Sequence, residues 1–306
     1  MNDMESIWNN PGAPIEPGEI EGLVKADGFD LFYAIYGKNE TKGTVICLHG
    51  GPGGTLDDFR PMIDLADHGY KVVLYNQLGS HKSQLPKNKA LLSVDHFVEE
   101  LEAVRRELDL GKVNLIGQSW GGMLAMAYAL KYQSNLKSMV TNGSPADVPL
   151  CFQEMTKRRS ELPLEVQKVL DKYESNGDYE NPEYMKATEV YYRNFLCRSP
   201  EWPQELLFAI HHMGKLVYET MWGPNEFVCV GALRYWDITR ELGDIDVPTL
   251  VTCGRYDEVS PAVCRSAHER IKGSRLEIFE NSGHEALWDE RERYFSLVKS
   301  FLDHNQ

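Results

Sequence analysis

The 306-residue sequence predicts an α/β fold: a mostly parallel central sheet interrupted by a helical insertion. Three observations carry that expectation. Short apolar runs alternate with helical segments in both the first half and the last quarter of the chain. One such run, residues 113–116, turns at once into an alanine-rich helical stretch. Between Pro145 and about Arg240 strand signals vanish, and charged, aromatic-rich helical segments replace them. Residues 1–144 and 241–306 are therefore expected to form the core, with 145–240 as a helical cap.

Taken in order, residues 1–18 hold three prolines and no periodicity, which predicts a surface arm. Two β-branched and aromatic runs between Glu21 and Tyr36 flank Asp27-Gly28 and predict an antiparallel hairpin at the sheet edge. Buried strands are expected at 44–48 and 71–75. Residues 93–110 set Val94, Phe97, Val98, Leu101, Val104 and Leu108 on one helical face, with Ser93 to cap the start and Gly111 to end it. After the strand at 113–116 and its helix, residues 136–141 predict another strand. The insertion offers helices at 150–159, 164–176, 182–196 and 203–211. Strands resume at 247–253 and 276–279, each followed by a helix, the last running to about Leu302.

Composition narrows the function. Hydrophobic residues make up 42% and charged residues 25%, an ordinary globular mixture. The net charge of −14 argues against nucleic acid or an anionic membrane as a partner. Met1 to Glu5 is acidic and unlike a signal peptide, and no apolar run reaches the length of a membrane span. Six cysteines without C-x-x-C spacing fit reduced thiols and a cytoplasmic protein. No metal-ligand cluster is evident, and the adjacent His211 and His212 would not converge on one ion.

The chemistry gathers at strand ends. Gly117-Gln118-Ser119-Trp120-Gly121 fits G-x-S-x-G in the strand–turn–helix setting that a nucleophile elbow requires, which makes Ser119 the candidate nucleophile. The loop His49-Gly50-Gly51-Pro52-Gly53-Gly54 is expected to turn the Gly51 N–H toward it. With the N–H of Trp120, this would form an oxyanion hole. Asp257 and His284 each follow a predicted strand, in the order serine, acid, histidine. A parallel sheet gathers such ends on one rim. Singly, His284 could cap a helix and Asp257 shape a turn; together the three residues make a catalytic triad, in which buried Asp257 orients the base His284. Acyl transfer of this kind needs no metal and no organic cofactor.

Six segments carry a resemblance: 49–54, 117–122, Met221-Trp222-Gly223-Pro224-Asn225-Glu226-Phe227, Trp236-Asp237-Ile238, Gly254-Arg255-Tyr256-Asp257-Glu258 and Gly283-His284. On these the chain resembles α/β-hydrolases of the proline iminopeptidase type over nearly its whole length. The resemblance implies an α/β-hydrolase fold. It also implies a serine aminopeptidase or amidase that cleaves next to a free amine, gripping that amine with Glu226 and Glu258, with Gly50 and Trp222 lining the substrate site. The substrate would be a short peptide or small molecule bearing that amine. One stretch departs from the family pattern, Tyr75-Asn76-Gln77-Leu78-Gly79-Ser80-His81-Lys82-Ser83. There Asn76 replaces a carboxylate, and His81 and Lys82 add bulk and positive charge at the expected cleft mouth. That loop suggests a rival, an amidase or esterase of a specialised metabolite. A silent receptor is the other rival, and the intact triad argues against it.

Overall fold

A computed structural model describes residues 6–37 and 40–306; Met1 to Glu5, part of the expected arm, lie outside the described residues. The hairpin forms as expected from β1 (Ile20–Ala26) and β2 (Phe29–Tyr36). Asp27 and Gly28 both take positive φ, 47° and 83°, which matches the twist that a two-residue hairpin turn must join. Then follow β3 (Gly43–Leu48), the short α1 (Arg60–Ile63) and β4 (Tyr70–Tyr75). Next come α2 (Val94–Glu107), β5 (Val113–Gln118), α3 (Trp120–Tyr132) and β6 (Leu136–Asn142). After the insertion come β7 (Thr249–Gly254), α9 (Pro261–His268), β8 (Arg275–Phe279), α10 (Ala286–Asp289) and α11 (Arg291–His304).

The eight strands make one sheet in the order β1-β2-β4-β3-β5-β6-β7-β8. Only β2 runs against its neighbours; from β4 through β8 every pairing is parallel. Every residue of β5 and β7 is buried, as expected for central strands covered on both faces. This is the α/β-hydrolase arrangement that the sequence predicts, and it sets the carboxyl ends of β3, β5, β7 and β8 along one rim.

The insertion between β6 and β7 holds α4 (Val148–Ser160), α5 (Leu164–Glu174), α6 (Pro182–Phe195), α7 (Gln204–His211) and α8 (Lys215–Met221). Four of these were expected. The fifth, α8, is too short to show periodicity. Two other features also differ. α2 stops at Glu107 because Asp109, not Gly111, takes the left-handed position that ends it (φ 49°), and the Leu110 N–H closes on Arg105 O at 3.0 Å. The expected surface arm is instead a strap over the insertion: Ile7 is buried, and the Trp8 indole donates to Met185 O at 2.9 Å. His211 Nε2 meets Ile7 O at 2.9 Å, and Ala13 N–H donates to Gln204 O at 3.0 Å. Such one-by-one bonds leave no periodic trace in a sequence. Among the described residues, no helix is long and apolar enough to cross a membrane.

Candidate active site

Ser119 caps α3 directly after β5 with φ 53° and ψ −118°, one of four non-glycine residues at positive φ among the described residues. Such a conformation is strained for a residue with a side chain and persists only where the surroundings impose it. The surroundings here are backbone. A Cβ on Gly121 would lie 1.8 Å from Leu48 O, so α3 can pass this close to β3 only with glycine at that position. Ser119 N–H donates to Asn142 O at 2.8 Å, which ties the turn to the end of β6.

Asp257 lies past the end of β7 and is fully buried. Its Oδ1 receives His284 Nδ1 at 2.8 Å and the Val259 N–H at 2.7 Å. Burial alone would lower the basicity of His284, yet the Asp257 charge and hydrogen bond outweigh it and hold the imidazole pKa well above the usual 6.5. The His284 carbonyl is fixed as firmly as its ring. It accepts from Gln118 Nε2 at 3.1 Å and Asn142 Nδ2 at 3.0 Å, and Thr252 Oγ1 donates to Asn142 Oδ1 at 2.8 Å. Asn142 also donates to Gln118 Oε1. Gln118, Asn142 and Thr252 thus connect the ends of β5, β6 and β7 to the histidine loop. Only Gln118 stood in a sequence motif, and there as a variable position.

The glycine-rich loop follows β3. Gly51 has φ 108°, and a Cβ there would lie 2.8 Å from the N atoms of both Gly53 and Gly54. Beneath it, His49 is buried, and its pKa falls to about 4 through burial. The neutral ring fits its bonds: Nδ1 lies 2.9 Å from Gly50 O, and Nε2 accepts the Gln77 N–H at 3.1 Å. Gln77 Oε1 in turn accepts from Trp120 Nε1 at 2.8 Å, joining the loop to the elbow. Trp120 is the first residue of α3, where helix geometry leaves N–H groups without an intrahelical acceptor.

Ser119 lies where two lobes of a cleft meet. The larger lobe, about 480 Å³, is lined by Gly50, Gly51, Ser119, Glu226 and His284, with an apolar wall from α7. The smaller, about 260 Å³, shares Gly51, Ser119 and Glu226 and adds Trp120, Met155, Trp222 and Val259. Glu226 Oε1 accepts from the Tyr218 hydroxyl at 2.7 Å. Glu258 is fully buried, and neither of its carboxylate oxygens has a hydrogen-bond partner. Burial first, and then the charge of Glu226, pushes its pKa well above the usual carboxylate value. Two further carboxyl groups that sequence reasoning missed, Asp58 and Glu285, line the larger lobe.

The departing loop has other tasks than those expected of it. Asn76 is buried, and its Oδ1 accepts the Leu56 N–H at 2.8 Å, holding the turn that follows the glycine loop. His81 and Lys82 do not line the lobes around Ser119. They line a separate cavity beneath residues 14–17, where Lys82 Nζ lies 4.4 Å from the centre of the Phe32 ring.

A profile of the α/β hydrolase fold family matches residues 43–291. The proline iminopeptidase of Saccharolobus solfataricus is 41% identical over 285 residues, covering 92% of this chain and 92% of that protein. The crystal structure of the proline iminopeptidase of Mycobacterium smegmatis superposes with a TM-score of 0.87 at 30% identity, over 94% of this chain and 98% of that one. The crystal structure of VinJ superposes with a TM-score of 0.92 at 34% identity, over 95% of this chain and all of that one.

Proposed function

The chain belongs to the proline iminopeptidase family of α/β hydrolases, and from that premise we propose that Ser119, His284 and Asp257 release an N-terminal residue by acyl transfer. A prolyl aminopeptidase-like serine hydrolase cleaves an amide bond beside a free amine, and each step has a residue suited to it. Neutral His284 takes the Ser119 proton as Oγ attacks the carbonyl carbon. The N–H groups of Gly51 and Trp120 receive the oxyanion, where such donors contribute about 3–4 kcal/mol. Collapse of the tetrahedral adduct breaks the C–N bond, and the leaving amine takes the proton from His284. Water then attacks the acyl-enzyme with His284 again as base, which regenerates Ser119 and frees the acid. Asp257 keeps the Nδ1 proton on the ring and stabilises the imidazolium.

The observation that carries this reading is the positive φ of Ser119 at the start of α3, on the rim that also holds the 2.8 Å His284–Asp257 bond. Glu226, which borders both lobes, and the neighbouring, buried Glu258 would pair with the substrate ammonium, whose arrival supplies the partner that Glu258 lacks. Trp222 and Gly50 would shape the substrate site. Residues 145–240 would act as the cap over the core formed by 1–144 and 241–306. Six free, buried cysteines support a reducing, cytoplasmic location. The test is a fluorophosphonate probe together with prolyl and other aminoacyl naphthylamides. Labelling at Ser119 with release of naphthylamine is expected, and a protein that is neither labelled nor active would overturn the reading.

A further inference from the structure

The larger lobe carries a pair of acidic groups that the acyl-transfer steps do not use. Asp58 lies in the turn after the glycine loop and Glu285 directly after His284; both line this lobe, at 7% and 5% exposure. Both are fixed in place. The Trp288 indole donates to Asp58 Oδ1 at 3.2 Å, and the Glu285 N–H donates to Leu196 O at 2.9 Å. Glu285 Oε2 is buried and has no hydrogen-bond partner. A buried carboxylate oxygen left in this state costs free energy that a donor from a ligand would recover. Leu206, Ile210 and Met213 give the same lobe an apolar surface.

The two lobes divide the substrate. Glu226 borders both lobes; with the substrate amine held there and its side chain turned into the smaller lobe beside Trp222 and Val259, the larger lobe would take the departing amine. We propose that Asp58 and Glu285 form a leaving-group subsite that takes an amine with an apolar body and a second positive charge, and turns away one bearing a carboxylate. This rests on the reading of Ser119 as nucleophile. Burial supports it: Asp58 is pushed up to about 6, and Glu285 is raised well above the usual value by burial and then by Asp58. A cation placed beside the pair would offset the negative charge that burial makes costly. Specificity of this kind works by attraction and repulsion together.

The experiment compares three prolyl anilides that differ only at the para position: aminomethyl, methyl and carboxymethyl. Enzyme labelled at Ser119 by the fluorophosphonate is counted in every preparation, so rates refer to folded, competent protein. The expected order of kcat/KM is cation over neutral over anion, each step at least about fivefold, since one charge pair in a partly desolvated site is worth roughly 1 kcal/mol or more. Asp58→Asn and Glu285→Gln, made separately and together, are expected to compress that order. The ratio between substrates is the readout, so a general loss of activity cancels. Equal rates on the three anilides by wild-type enzyme that labels at Ser119 would overturn the subsite alone. Absence of both labelling and turnover would overturn the acyl-transfer reading, and the subsite with it.

Discussion

The elbow and the insertion meet at the same cleft, yet they are held by different forces. Around Ser119 the constraints are backbone approaches and short hydrogen bonds between strand ends, with β5 buried along its length. The insertion is held by side chains. Arg159 bridges Glu174 and Asp171 at 2.7 Å each, its guanidinium 5.5 Å from the Phe227 ring centre, and Tyr191 packs on Phe227 at 4.5 Å. Its link to the core is direct. Arg158 donates to Asp257 O at 3.1 Å and Arg255 O at 2.7 Å, while Phe195 O accepts the His284 N–H at 2.9 Å. A rigid sheet can place reacting atoms, and a layer of exchangeable side chains can change what reaches them. On the proposed reading, the strand ends place the reacting atoms, and the insertion, through Glu226 and the α7 wall, shares the task of selectivity with Asp58 and Glu285 of the core.

The sharpest way to break that division is Ser119→Ala. It is expected to abolish turnover of a prolyl naphthylamide, a loss of about 10⁴–10⁶ in kcat, with the fold intact by circular dichroism. An alanine variant that kept a tenth of the wild-type rate would move the chemistry elsewhere. Asp257→Asn comes next, with kcat falling by roughly 10⁴ while KM stays close to wild type, because the amide would hold His284 in the wrong tautomer. The same pair sets the pH profile. His284 acts as base only when neutral, and its pKa is raised, so activity is lost as pH falls through a value above the usual 6.5. An acid limb of kcat/KM at or below 6.5 would contradict the Asp257 influence.

Changes in the insertion are expected to be smaller and to depend on the substrate. Glu226→Gln is expected to lower kcat/KM for a free-amine substrate by roughly 10- to 100-fold, the range for one partner of a desolvated charge pair, and to narrow the gap to its N-acetylated form. Equal kcat/KM for the two forms in wild-type enzyme would remove the amine clamp. Arg158 is a positioning residue, since it grips carbonyls of the acid loop from the insertion. Arg158→Met is expected to reduce kcat a few-fold with little change in KM, and to lower stability by about 1–3 kcal/mol as carbonyls lose their donor. A thermal melt beside the kinetic split separates this from a merely structural role, which would lower stability and leave kcat alone.

How legible each residue was follows from the kind of constraint on it. Ser119, Asp257 and His284 stand out as candidates because the chemistry proposed for them needs residue types that are rare together at strand ends, and Gly121 because any side chain there would meet Leu48 O. Asn76 misled: judged by charge it was a lost carboxylate, whereas its amide oxygen clasps the Leu56 N–H. His81 and Lys82 misled likewise, since their chain position says nothing about which cavity they line. Asp58 and Glu285 passed unnoticed. Acidic residues in turns are ordinarily solvated, and only the closing of the α7 wall over them makes their burial significant.

The sequence by itself determined the sheet, the tight turn at Ser119 and the placing of Asp257 and His284 after strands, because these rest on local rules: apolar periodicity, glycine where backbones approach, and a serine between strand and helix. Tertiary structure alone decided which carboxyl groups face the cleft, how residues 6–18 strap the insertion, and that Gln118 and Asn142 hold the His284 carbonyl. Those outcomes depend on pairings between residues up to 230 positions apart, as in the Trp288–Asp58 bond. No local pattern encodes such a meeting. Burial, which turns an ordinary carboxylate into one that needs a partner, exists only once the chain has closed around it.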